Sequence, residues 1–161
     1  MADIKVDISG LEHLAKALGD DYSIKVGIVG ETAQRHNGNT DKTNAEIGFI
    51  NEFGKQTGFP KIPARSFLRM PLTLYLSKYL RDKKSLSKQA VNNAVKSGKL
   101  LELAKKVGLV AEEVIQEAFA TRGFGNWAPN APYTIAQKGS DSPLIDTGEL
   151  RRSITSRVEK K

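Results

Sequence analysis

Residues 44–69 read NAEIGFINEFGKQTGFPKIPARSFLR, and this stretch decides how the rest of the chain is read. Thr43-Asn44-Ala45-Glu46 places a hydroxyl at a helix N-cap and a carboxylate three residues later, the pattern of a capping box. Ile47, Ile50 and Phe53 follow at helical spacing, and Gly54 is a natural stop because glycine accepts the left-handed backbone that ends a helix. The spacing predicts a short helix with one apolar face. The second half, FPKIPARSF, does not open as a helix, because two prolines fix φ and push the residues before them toward extended geometry. A short helix, a glycine stop and a rigid elbow at Ile62-Pro63 therefore feed the apolar run that starts at Phe67.

That run predicts the next element. Leu68, Leu72, Tyr75, Leu76, Tyr79 and Leu80 recur at the spacing of an amphipathic helix. Pro71 fits its first turn, where a missing N–H costs nothing. Residues 85–120 read as helical with a break near Ser97-Gly98, since glycine costs about 1 kcal/mol inside a helix. Leu100, Leu103, Ala104, Val107, Ala111, Val114, Ile115 and Ala118 give this segment a broad apolar face, and Gly108 and Ala111 are small enough for another element to approach closely.

Upstream, Ile4, Val6 and Ile8 alternate with Lys5 and Asp7 as a half-buried strand does. Ser9-Gly10-Leu11-Glu12 forms a second capping box before a short helix that stops at Gly19. Residues 23–29 are rich in β-branched side chains and predict a strand, with Ile24, Val26 and Ile28 on one face. Residues 30–43 read as a polar loop, with Asn37-Gly38 as a turn or a hairpin tip. Downstream, residues 121–143 read as loop, with Trp127 as a core plug over a helix end. Residues 147–152 suggest one helical turn, residues 153–158 a closing strand, and residues 159–161 a short C-terminal tail. The expected architecture is a single α+β domain over residues 1–161: a small, mainly antiparallel sheet packed against long amphipathic helices.

Composition narrows the function classes. The chain of 161 residues is long enough for one real core, and its 39% apolar and 27% charged residues are an ordinary globular mix. There is no cysteine, so disulfides, thiolate metal sites and cysteine nucleophiles are all excluded. No run of about 18 apolar residues is present, so no membrane span or membrane partner is expected. The opening residues MADIKVD lack the apolar segment of a signal peptide.

The net charge is +7. Residues 81–106 hold eight basic side chains (Arg81, Lys83, Lys84, Lys88, Lys96, Lys99, Lys105, Lys106) against Asp82 and Glu102, so the excess is local. Such a run is either a solvated helix face or a surface that meets phosphate or an acidic protein, with Lys83, Lys84, Lys88, Lys96 and Lys99 as the contacts.

No catalytic constellation emerges, and no cofactor or metal is expected. Asp146-Thr147-Gly148 matches the triplet of aspartic proteases, yet Glu-Leu-Arg-Arg follows it in a largely helical chain. The plainer reading is a turn in which Asp146 caps the next helical turn and Gly148 takes a backbone other residues resist. His13 and His36 have no partner at metal-ligand spacing and read as solvated. Gly123-Phe124-Gly125 lacks the strand and the Gly-Lys-Ser/Thr of a phosphate loop. Arg65, Arg69, Arg151 and Arg152 sit beside the apolar anchors Phe67 and Ile154. They suit an interface, or an internal pairing of Arg65 and Arg151 with Glu52 and Asp146.

A second stretch echoes the first: Trp127 and Pro129, then Thr134 and Lys138, then Pro143-Leu144-Ile145-Asp146-Thr147-Gly148 with Leu150, Arg151, Ser153 and Ile154. With Ala45, Ile47, Asn51, Glu52, Phe53, Gly54, Ile62, Pro63, Ala64, Arg65 and Phe67, in this order and spacing, the chain from residue 45 onward resembles the neck or tail-completion proteins of tailed bacteriophages. That group includes the minor tail protein Z-like and Mu virion-morphogenesis proteins. Ser66 departs from the pattern, where proline is frequent, as does the Phe59-Pro60-Lys61 insert before the elbow. The resemblance implies a non-enzymatic virion protein, assembled in the bacterial cytoplasm and acting in head–tail joining or tail completion. It implies a homo-oligomeric ring at the neck that meets head-closure, tail-terminator or tail-tube proteins. The 30–43 loop and the basic run are the surfaces expected to meet neighbours or DNA in the channel. The rival expectation is a sequence-independent nucleic-acid-binding protein that uses the 81–106 stripe.

Overall fold

A computed structural model describes residues 11–19, 21–34, 41–58 and 61–161. The strand expected at residues 4–8, the Ser9 cap, the Asn37-Gly38 turn and His36 lie outside the described residues. In chain order the elements are α1 (Glu12–Leu18), β1 (Tyr22–Ile28), a 3₁₀ turn (Gly30–Ala33), α2 (Asn44–Phe53), α3 (Arg69–Asp82), a second 3₁₀ turn (Lys84–Leu86), α4 (Lys88–Lys96), α5 (Leu100–Ala120), α6 (Pro132–Lys138), α7 (Glu149–Arg152) and β2 (Ile154–Lys160). This is a small α+β fold. Among the described residues its sheet has two antiparallel strands, β1 and β2, in register from Tyr22 opposite Lys160 to Ile28 opposite Ile154.

The tail expected at 159–161 is instead strand through Lys160, which pairs with Tyr22, and the Lys161 amide donates to Asp21 O at 2.9 Å. The expected polar loop begins as an ordered turn. Asn44, buried at the start of α2, donates through Nδ2 to Thr32 O (3.2 Å) and Gln34 O (2.8 Å). Residues 132–138, read as loop, form α6. Pro132 opens it, since proline's fixed φ suits a first helical turn, and Gly139 ends it with a left-handed backbone. Gly98 is left-handed too, at φ 68°, and makes the break between α4 and α5.

Helix α5 is the axis of the molecule, about 31 Å long at 1.5 Å per residue. Two apolar clusters lie along it. Around its C-terminal half, Ala111, Ile115, Ala118 and Phe119 pack with Phe67, Leu72, Trp127, Leu150 and Ile154. Around its N-terminal half, Leu103 and Val110 pack with Leu11 just before α1, Leu14 of α1, Leu80 of α3, Leu86 and Val91. The sheet lies on the same helix at Gly108, where an added Cβ would come within 2.6 Å of Ser156 Oγ on β2. The Ser156 amide donates to Glu112 Oε1 at 2.6 Å, which ties the strand to α5.

His13 is not a solvated histidine. Its ring sits where α1 meets the second 3₁₀ turn, with Nε2 3.2 Å from Leu86 O and Nδ1 buried without a partner among the described residues.

Candidate functional site

The residues singled out in the two sequence stretches meet at the C-terminal half of α5. At their centre is Glu52, on the last turn of α2 and only 5% exposed. Its carboxylate accepts from the amides of Phe67 (2.9 Å), Leu68 (3.0 Å) and Arg69 (3.1 Å) and from the Ser66 hydroxyl. The start of a helix leaves its first N–H groups without intrahelical acceptors and carries a partial positive charge. Here each is accounted for. Arg69 N–H goes to Glu52, Met70 N–H to Ser66 Oγ at 2.9 Å, Pro71 has none, and Leu72 N–H reaches Leu68 O. One buried carboxylate on α2 is thus the N-terminal cap of α3. Ser66 serves this cap as both donor and acceptor.

Gly54 permits the elbow. Its φ is 76°, and a Cβ there would lie 2.8 Å from both Ala64 N and Ile62 O. Lys55 and Ile62 exchange two backbone hydrogen bonds, 2.8 and 2.9 Å, across the turn. Past Pro63, the Arg65 amide donates to Asn51 O at 2.7 Å. The Arg65 guanidinium is buried and donates to Ala128 O and Pro129 O, both at 2.8 Å. Burial pushes its pKa down from the ordinary arginine value. The expected internal pairing of Arg65 and Arg151 with Glu52 and Asp146 is therefore corrected in its partners. Arg65 takes backbone carbonyls, and Arg151 Nε donates to Gln116 Oε1 at 2.7 Å while Gln116 Nε2 donates back to Arg151 O at 3.1 Å. Glu52 faces Arg69 instead, 3.8 Å from its Nε.

Trp127 is buried over the end of α5. Its ring meets Phe119 edge-on with centroids 5.6 Å apart, and its Nε1 donates to Ser66 O at 3.2 Å. Gly123 lies so close beneath it that a Cβ would fall 2.3 Å from the indole. The backbone from Arg122 to Gly125 is left-handed throughout, with φ of 55°, 69°, 54° and 81°. Two of these residues are not glycine, a conformation that costs roughly 1–2 kcal/mol each. Phe124 is held by stacking on Tyr75 at 3.9 Å, and Arg122 by an ion pair with Asp141 at 3.0 Å.

Lys138 reaches back from α6 to Ser142 O at 2.9 Å. Burial pushes its pKa down, opposed by the charge of Asp146 and assisted by that of Arg65. Leu150 is buried in the core, and Leu144 is half-buried against it with φ 60°. The cap expected of Asp146 is made by its neighbour: Thr147 Oγ1 accepts from Glu149 N at 3.3 Å, while Asp146 is exposed. Gly148 takes the expected left-handed backbone, φ 76°.

Phe53 belongs to the same stretch but faces outward. It is 48% exposed beside Phe49, which is 66% exposed, with ring centroids 4.9 Å apart and the Arg69 guanidinium over the Phe53 ring. Sequence periodicity put Phe53 on the buried face of α2. The buried face is in fact Asn44, Gly48 and Glu52, because Gly48 packs so closely that a Cβ would lie 2.5 Å from Ile28 Cδ1. Two polar residues and one small one at i, i+4 and i+8 hide a core face from a hydrophobicity count.

The basic residues lie at the other end of α5. Lys83 is drawn to Glu113 at 2.7 Å and Lys105 to Glu102 at 3.1 Å. Lys84, Lys88, Lys96, Lys99 and Lys106 are exposed and carry no ion pair among the described residues. Among the described residues no three metal-ligating side chains cluster, and no helix is long and apolar enough to cross a membrane. No known protein family, characterised protein or solved structure matches this chain.

Proposed function

We propose that this protein is a structural component of a tailed-phage or prophage particle, acting in head–tail joining or tail completion as one subunit of a ring at the neck. The observation that carries this reading is the ordered set of residues from Ala45 to Phe67 and from Trp127 to Ile154 that resembles the neck and tail-completion proteins. Glu52, Gly54, Arg65, Trp127, Lys138 and Leu150 each serve a packing or capping role, as expected of a part that works by holding its shape. Its partners would be head-closure, tail-terminator or tail-tube proteins. A cyclic ring joins different patches head to tail. The exposed Phe49 and Phe53 on α2, and Leu101 and Leu109 on α5, are separate apolar surfaces of the sort such contacts use.

The test is complementation of a phage that lacks the protein, with particles viewed by electron microscopy. Separate heads and tails in the null phage, joined again by the wild-type protein, are the expected result. Normal, infectious, joined particles in the null phage overturn the assignment. Phe49→Asp leaves the core untouched and should fail to restore joining if the α2 face is a ring contact.

A further inference from the structure

We propose that the groove between α4 and the first turns of α5 binds the phosphate backbone of duplex nucleic acid, with Lys99 and Lys106 as its central cations. The groove is open, about 250 Å³, and its polar lining is Ser85, Asn93, Ser97, Lys99, Glu102 and Lys106. Glu102, its one carboxylate, is engaged by Lys105 at 3.1 Å, and the Ser97 hydroxyl is spent on Asn93 O at 2.7 Å. That leaves two ammonium groups, the Asn93 amide and the Ser85 hydroxyl as donors facing an anion. Lys84, Lys88 and Lys96 lie nearby on the second 3₁₀ turn and on α4, outside the groove lining.

Chemistry selects the occupant. Lysine ammoniums act as point charges that suit phosphate oxygens and carry no base information. Residues 81–106 contain no aromatic side chain, so there is no platform on which unpaired bases would stack. The exposed aliphatic residues of this end, Val95 and Leu101, do not line the groove. A regularly charged duplex therefore fits better than a single strand or an apolar protein segment. Of the five contacts expected from sequence only Lys99 lines the groove; Lys83 is drawn to Glu113, and Lys106 on α5 joins the lining.

The inference stands apart from the neck assignment, since it is tested with purified protein and unrelated duplexes. Fluorescence anisotropy on a duplex of about 25 base pairs should show binding that is independent of sequence and weakens steeply with salt, by a log–log slope of roughly 0.9 per lysine–phosphate contact. Lys99→Ala/Lys106→Ala should weaken binding about tenfold or more and flatten that slope by about two. Lys55→Ala/Lys160→Ala removes the same charge outside the groove and should change affinity less than about twofold, with circular dichroism showing both variants folded. Equal losses in the two variants, tighter binding to a single strand or to polyglutamate than to the duplex, or no binding at low salt would each overturn the proposal.

Discussion

The two halves of α5 are packed by different means. At the C-terminal half, backbone groups are fixed by side chains from distant elements. Glu52 caps α3, Arg65 clasps residues 128 and 129, and Trp127 holds Ser66 O. Glycines there sit against backbone or ring atoms closer than any Cβ allows. At the N-terminal half, aliphatic side chains from α1, α3 and α4 meet on α5, and among the described residues the long-range polar ties are few, such as His13 to Leu86. Hydrogen bonds and backbone contacts are directional, whereas aliphatic packing tolerates exchange at constant volume. The first half should therefore hold one geometry, and the second should accept substitution.

The sharpest test of that contrast is Glu52→Ala. It leaves several amides at the start of α3 without an acceptor in a buried setting, and should cost about 3–5 kcal/mol. Urea unfolding would measure it; a loss below about 1 kcal/mol would mean that water replaces the carboxylate and the cap is dispensable.

Glycine substitutions compare the halves directly. Gly54 and Gly98 both have positive φ, 76° and 68°, but Gly54, with ψ 173°, lies in a region essentially reserved for glycine. A Cβ at Gly54 meets Ala64 N and Ile62 O at 2.8 Å, while at Gly98 nothing lies within 4 Å. Gly98→Ala should cost only the conformational term, about 1–2 kcal/mol. Gly54→Ala should exceed it by about 1–3 kcal/mol from forcing extra volume into packed backbone, on top of its more restricted backbone region. Equal losses in thermal unfolding would remove the argument from close approach.

Volume-conserving exchange in the aliphatic half should be mild. Leu103→Met, at a position 2% exposed in the second cluster, is expected to cost under about 1.5 kcal/mol by denaturant midpoint. A larger loss would show that this half is as tightly specified as the other.

The smallest effect concerns acid. Hydrogen bonds from the Thr43 backbone and hydroxyl hold the Glu46 carboxyl below its ordinary value of 4.5. A carboxyl with a lowered native pKa adds stability in full above its unfolded value and loses it as pH falls through the native one. Titration of Glu46 by NMR should therefore give a midpoint below 4.5, and Thr43→Val should move it upward. No upward movement would mean that the Thr43 hydroxyl does not hold Glu46.

Local chemistry in the sequence settled much of this protein. Thr43 and Glu46 start α2, Gly54 ends it, Pro71 lies in the first turn of α3, and Gly98 separates α4 from α5. Each of these signals acts within a few residues, where φ preference and near-neighbour hydrogen bonds decide the outcome. The Pro132 and Gly139 pair was equally local and marks α6, though a loop-rich composition hid it.

Tertiary structure alone decided the partners. The sequence names Glu52, Arg65 and Trp127, but not the amides of residues 67–69, the carbonyls of residues 128 and 129, or the carbonyl of Ser66 that they bind. It also placed Phe53 inside, whereas the fold turned Glu52 and Gly48 inward and left Phe53 in solvent. Such pairings span up to 64 residues of chain, and every residue supplies the same backbone acceptor. Side-chain type therefore cannot say which one is met; only the path of the chain around α5 does.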